Sequence, residues 1–221
     1  MRTTPVYIVC SPRPHVGKTL IARLLTEFLR QSSRVAAFDI SLREPSLIDY
    51  LPQLTETARI SDTHGQMALM DRLIVNDGIP KIVDLGFHAF EDFYAMIDEI
   101  GFVKEADRRG VDPIILFVAD RDRASISAWN MLRSNFATAT LVAVDNEYVL
   151  RGELPEAFAN STSTRITALP AFLKSIIDRT AFSFNAYLRS TKDTSSELHQ
   201  WVRANYLRFR ELELKLILHR L

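Results

Sequence analysis

Short apolar runs rich in β-branched residues recur along the chain at residues 6–10, 34–39, 81–85, 113–119 and 140–145. Four of them carry little polar alternation, as strands covered on both faces do, so they predict a buried parallel sheet. Between the runs the hydrophobic period lengthens. Residues 19–31 put Leu20, Leu24, Leu25, Phe28 and Leu29 on one side and Arg23, Glu27 and Arg30 on the other, which predicts an amphipathic helix. Periodic stretches at 66–75, 90–109 and 124–136 can each cross between successive parallel strands. The alternation predicts an α/β fold, a doubly wound and mainly parallel sheet with helices on both faces.

Residues 154–164 are polar and turn-rich, residues 165–169 read as a last short strand, and Pro170 opens another helix. From 194 to 221 the chain is one long helical pattern without Gly or Pro, with Thr194 or Ser195 as its N-cap. Leu198, Trp201, Val202, Tyr206, Phe209, Leu212, Leu216 and Ile217 recur along it at spacings of about three and four, and Leu207, Leu214, Leu218 and Leu221 widen the apolar band. Such a stripe reads first as a helix packed on its own sheet, then as a dimerisation helix or a basic amphipathic membrane tether. Glu211 and Glu213 interrupt the basic face that a tether needs. The expected organisation is one sheet domain over residues 1–190 and a C-terminal helix over 191–221, packed on the domain or at an interface.

Composition narrows the partners. With 27 Lys and Arg against 27 Asp and Glu in 221 residues, no global field steers the chain toward DNA or an anionic membrane, and any such contact needs a local patch. The single cysteine, Cys10, lies on an apolar run and reads as a small core residue. No run approaches the roughly 20 apolar residues of a membrane helix, and the N-terminal apolar stretch is short for a signal peptide, so a cytoplasmic location is expected.

Candidate chemistry gathers after the first run, where Gly17, Lys18 and Thr19 open the first helix directly behind a buried strand. Backbone N–H groups and the helix dipole favour a phosphate there, Lys18 can reach its outer groups, and the Thr19 hydroxyl can ligate Mg²⁺. No other motif competes. The five histidines lack ligand spacing, and neither G-x-S-x-G nor G-x-G-x-x-G after the first strand occurs. Asp120, Arg121, Asp122 and Arg123 form a charge cluster behind a buried strand, read as a solvated loop.

The general G-x-x-x-x-G-K-[ST] loop wants glycine where Pro12 stands. The stretch Arg13-Pro14-His15-Val16-Gly17-Lys18-Thr19 aligns without a gap to K-G-G-x-G-K-T, and here the chain resembles the ParA/MinD family of ATPases. RVAAFDISLREPSLIDYL is similar to the family's aspartate-containing region after strand two, KIVDLGF to its Walker B strand, and TLVAVDNEYV to the strand whose following Asn often touches adenine. The resemblance implies binding of ATP or ADP with Mg²⁺. It places Pro14, His15, Val16, Gly17, Lys18, Thr19, Leu20 and Asn146 at the nucleotide, with Thr19, Asp39 and Asp84 around the metal. Lys18, Asp39 and Arg13, which stands at the family's signature lysine, become the catalytic candidates. A homodimer and an unknown protein partner are implied as well.

The departures point to slow or impaired hydrolysis. Pro14 and His15 replace two glycines, and Pro14 has no N–H to donate. The family's D-x-D pair is incomplete, because Ala37 and Ser41 flank Asp39. A switch ATPase for partitioning or positioning is the leading expectation. A catalytically silent scaffold of the same fold and a dethiobiotin-synthetase-like ligase are the alternatives.

Overall fold

A computed structural model describes residues 3–40 and 46–218 of the chain. The apolar runs become strands and the periodic stretches become helices. In chain order, β1 (Thr4–Cys10) leads into α1 (Lys18–Leu29), β2 (Ala36–Asp39), α2 (Leu47–Tyr50) and β3 (Thr55–Thr57). Then follow α3 (Thr63–Leu73), β4 (Lys81–Asp84), a 3-10 turn at Phe87–Ala89, α4 (Phe90–Glu99), α5 (Phe102–Arg108) and β5 (Val111–Val118). The last third comprises α6 (Arg123–Asn135), β6 (Thr140–Asn146), α7 (Glu156–Ala159), β7 (Thr162–Ile166), α8 (Ala171–Ile177), α9 (Phe184–Ser190) and α10 (Glu197–Leu218).

The seven strands form one sheet in the order β3-β2-β4-β1-β5-β6-β7, and every pairing between them is parallel. Successive residues of a strand point to opposite faces. Val6, Ile8 and Cys10 of β1 enter one apolar layer with Phe93, Phe117 and Trp129, and Tyr7 and Val9 enter the other with Leu24, Ile114 and Phe209. Helices cover both layers, so the doubly wound α/β fold is observed as expected. Cys10 is buried, its Sγ accepts from the Tyr94 hydroxyl at 3.1 Å, and burial pushes its thiol up to about 12. It is a core residue.

Several boundaries differ from the sequence expectation for local reasons. The stretch 90–109 is two helices, because Gly101 adopts φ 68 between them. The last strand begins earlier than expected, at Thr162–Ile166 rather than 165–169, and pairs in parallel with β6 through Val142 and Thr162 to Asn146 and Ile166. β3 has three residues, too few to show a period. Ser41, Arg43 and residues 219–221 lie outside the described residues.

The polar side of α1 is the main correction. Arg30 is exposed, but Arg23 and Glu27 are each about 1% exposed. Arg23 donates to the carbonyls of Ile177 (2.7 Å) and Phe182 (2.8 Å), and its guanidinium lies between the Tyr50 and Phe184 rings, 4.1 and 4.8 Å from their centroids. Glu27 accepts from the Ser183 hydroxyl (2.6 Å) and from the backbone N–H groups of Phe184 (3.1 Å) and Asn185 (2.9 Å), at the start of α9. Burial lowers the Arg23 pKa, and Glu27 one turn away opposes that. A helix face that reads as solvated is thus covered by the segment from α8 to α9.

α10 lies against α1 and β7. Leu198, Trp201, Val202, Tyr206, Phe209, Leu212 and Leu216 are buried, each large apolar side chain contributing about 1.5–3 kcal/mol relative to exposure. The Trp201 indole N–H donates to the Thr167 carbonyl at 2.8 Å. Leu207, Leu214, Ile217 and Leu218 remain exposed. No helix among the described residues is long and apolar enough to cross a membrane.

Candidate functional site

After β1 the chain winds to one side through β2 and β3, and after β4 to the other through β5, β6 and β7. The carboxyl end of β1 is therefore the point where the winding reverses, where open α/β sheets bind ligands. Residues 11–17 form the loop there. Gly17 caps α1 with φ 88, a conformation that glycine adopts freely, and a Cβ at this position would stand 2.7 Å from Asn146 Nδ2. His15 has φ 57 and is the one non-glycine residue in that region among the described residues. The loop thus keeps a left-handed backbone at a place where the ParA/MinD-type loop carries glycine, at a strain of about 1 kcal/mol.

Lys18 is buried, and its ammonium donates to the Arg13 carbonyl at 2.6 Å and lies 5.8 Å from the centre of the Phe87 ring. The loop is fixed from the far side by Asn146 at the end of β6. Its amide Nδ2 donates to the Val16 carbonyl (2.9 Å), and its Oδ1 accepts from the Tyr148 N–H (3.1 Å). Val16 itself turns into the core.

Asp39 and Asp84 end β2 and β4 and are partners in register. Asp39 is fully buried, and its Oδ2 accepts from the Ile48 N–H at 3.0 Å. Asp84 is 1% exposed, and neither of its carboxylate oxygens meets a hydrogen-bond partner of ordinary geometry among the described residues. Burial raises its pKa to about 7, neighbouring Asp39 adds to the rise, and the Thr19 and Lys18 side chains oppose it. A buried carboxylate left this bare is costly unless a proton or a cation meets it. With the Thr19 hydroxyl and Asp39 it offers hard oxygen donors. No group of three or more His, Cys, Asp or Glu side chains that could hold a metal ion occurs among the described residues.

Arg13 points elsewhere. Its guanidinium lies 3.6 Å from both Asp120 and Asp122, the cluster expected to be a solvated loop, and it is not among the residues lining the cleft. Ala37 lies in the apolar core and supplies no second carboxylate.

Beside the loop opens a cleft of about 550 Å³, lined by Pro14, His15, Gly17, Lys18, Thr19, Leu20 and Asn146 from the expected set. Its other walls were not foreseen. Gly86, Phe87 and His88 come from the turn after β4, Tyr148 follows β6, Tyr50 ends α2, and Trp201 projects from α10. Phe87 and His88 follow the Asp84 strand closely enough to be suspected from sequence. Trp201 gives no local signal.

No protein-family model matches the chain, and no curated protein is similar to it in sequence. Solved structures are. The MinD cell division protein of Aquifex aeolicus superposes with a TM-score of 0.56 at 15% identity, over 94% of this chain and 97% of that one. This is a ParA/MinD-like P-loop fold. A nucleotide-binding protein from Archaeoglobus fulgidus in complex with ADP superposes with a TM-score of 0.47 at 14% identity, over 76% of this chain and 84% of that one. A plasmid partition protein from Borrelia burgdorferi superposes at TM-score 0.41 and 11% identity over 96% and 99%. At these identities the likeness concerns the fold alone, and the ParA/MinD-like reading of the chemistry depends on the site residues.

Proposed function

We propose that this chain binds ATP or ADP together with Mg²⁺ in the cleft at the end of β1 and acts as a nucleotide-dependent switch. The observation that carries this reading is the bare buried carboxylate of Asp84 beside the helix start at Lys18 and Thr19. An apolar residue would be the cheaper occupant of a buried strand end with no partner. Lys18 neutralises the outer phosphates, Gly17 and the first N–H groups of α1 cradle them, and Thr19, Asp39 and Asp84 hold the cation. When bound, Mg²⁺ would supply charge neutralisation to the phosphates. Asn146 braces the loop and borders the space for the base. By the same reading the chain works in the cytoplasm as a homodimer with a protein partner, and DNA or membrane contact has no support from net charge.

Hydrolysis is slow in this account. Arg13 is engaged by Asp120 and Asp122 in its own chain, Pro14 lacks an N–H, and Ala37 is apolar core. The same three observations favour the second reading, a scaffold of the same fold that binds partners without turnover.

Lys18→Ala tests the assignment. Titration calorimetry should show at least a 100-fold loss of ATP and ADP affinity with the melting temperature of the apo protein little changed. Unchanged affinity would remove the site.

A further inference from the structure

We propose that the outer edge of β7, with the flank of α10 beside it, binds an extended peptide segment that carries acidic side chains next to large apolar ones. This surface shares no lining residue with the nucleotide cleft and stands whether or not the cleft reading holds. β7 ends the sheet, and among the described residues no strand pairs with its outer side. It carries no Pro. Such an edge leaves ladder N–H and C=O groups that an added strand can take up. A groove of about 310 Å³ opens there, lined by Ser163, Thr164 and Arg165 of β7 and by Arg208, Glu211 and Lys215 of α10. Successive strand side chains alternate between the two faces, so a groove lined by three in a row looks onto β7 from its edge.

Charge selects the occupant. Neither Arg208 nor Lys215 makes an ion pair or a side-chain hydrogen bond among the described residues. Asp145, also on the groove wall, is already met by Arg165 at 3.5 Å. Two cations therefore stand against the one remaining carboxylate, Glu211, and the groove favours acidic side chains. Beside these charges run Leu207, Leu214 and Leu218, which are 60%, 54% and 69% exposed. Their spacings of seven and four residues set them in one row, on the side of α10 away from the buried Trp201, Phe209 and Leu216. The outer face of a packed helix is ordinarily polar, so this row offers an apolar contact that the free chain does not use. A bilayer would need an unbroken cationic border to the leucines, which Glu211 and Glu213 interrupt, and would have no use for a strand edge.

The test is fluorescence polarisation on the full chain with three labelled peptides: one of alternating glutamate and valine, its counterpart with lysine for glutamate, and a version of the first that is N-methylated at alternate residues and cannot pair with a strand edge. Saturable binding of the acidic peptide is expected, about 10-fold or more tighter than either control. Arg208→Glu should weaken it by roughly 10-fold and Leu214→Ser by less. Glu211→Gln should tighten it, a gain that a misfolded chain cannot give, and circular dichroism melts confirm that each variant folds. Nucleotide affinity should not change in any of them, so failure here and failure of the cleft assignment are read separately. No binding of the acidic peptide, equal binding of all three peptides, or binding indifferent to Arg208→Glu and Glu211→Gln would overturn the proposal. So would binding to phosphatidylserine vesicles that Arg208→Glu abolishes, in a chain that binds no peptide, since it would give the surface to a membrane.

Discussion

Arg23 with Glu27 on one flank of α1, and Asp84 beside its start, are buried to the same degree, about 1% exposed in each case. Their surroundings are opposite. Both Glu27 oxygens accept from α9 and its N-cap, and both terminal nitrogens of Arg23 donate to carbonyls, leaving only Arg23 Nε unbonded. Asp84 has two oxygens that meet no hydrogen bond of ordinary geometry among the described residues, and only the Thr19 side chain and the Lys18 charge act against the cost of its burial. Burial alone does not separate structural from functional charge. Satisfaction does: the first pair is a clasp that fastens the α8–α9 segment over α1, and in the proposed reading the Asp84 carboxylate meets its partner only when a cation binds.

That contrast can be broken at either end. The largest effect is expected at the clasp, where Glu27→Ala leaves Arg23 buried without its counter-charge and strips the partners from three donors. Urea unfolding should show a loss of about 3–5 kcal/mol, and a loss below 1 kcal/mol would mean that the clasp is ornamental. Asp84→Asn should act the other way in the absence of nucleotide. The folded-state pKa of Asp84 is raised to about 7, so its native carboxyl holds a proton that the unfolded chain releases near 4. Stability from this group is complete below about pH 4 and is lost as pH rises toward 7. Relative to Asp84→Asn, the wild-type chain should therefore weaken between those pH values, by an amount on the order of 2–4 kcal/mol at pH 8. Melts across that range check the sign, and parallel curves for the two proteins would contradict the buried, unpartnered carboxylate.

A smaller effect is expected where the loop meets β6. Gly17→Ala forces a Cβ to within 2.7 Å of Asn146 Nδ2 at φ 88, costing about 1–3 kcal/mol. Asn146→Ala should relieve part of that clash, and a thermodynamic cycle over the two substitutions measures it. His15→Gly comes last. Removing the strain at φ 57 should offset the extra unfolded-state freedom of glycine, so stability is expected to change by less than about 1 kcal/mol. A loss above 2 kcal/mol would show that the imidazole holds the loop.

Much of the fold was legible because strands buried on both faces leave continuous apolar runs, and the phosphate loop was legible because strand, Gly-Lys-Thr and helix are contiguous. Asp39 and Asp84 could be paired through the resembled motifs, and the parallel register sets them side by side. The clasp was not legible. Arg23 and Glu27 have the spacing of an exposed helix flank, and only the return of residues 177–187, more than 150 positions later, buries them. Trp201 in the cleft wall is hidden for the same reason, since its position depends on how α10 lies against β7. The direction of Arg13 escaped because a motif fixes the place of a residue and not its rotamer. Local pattern thus found the elements and the loop, while long-range contacts decided which polar residues are structure and which are site.

The most direct test of the central claim is calorimetric titration of Mg²⁺-ADP and Mg²⁺-ATP into the purified wild-type chain, with Lys18→Ala beside it. Saturable one-to-one binding that requires Lys18 is predicted, weakened when Mg²⁺ is withheld. Absence of binding to the wild-type chain, or equal binding to Lys18→Ala, would contradict the account.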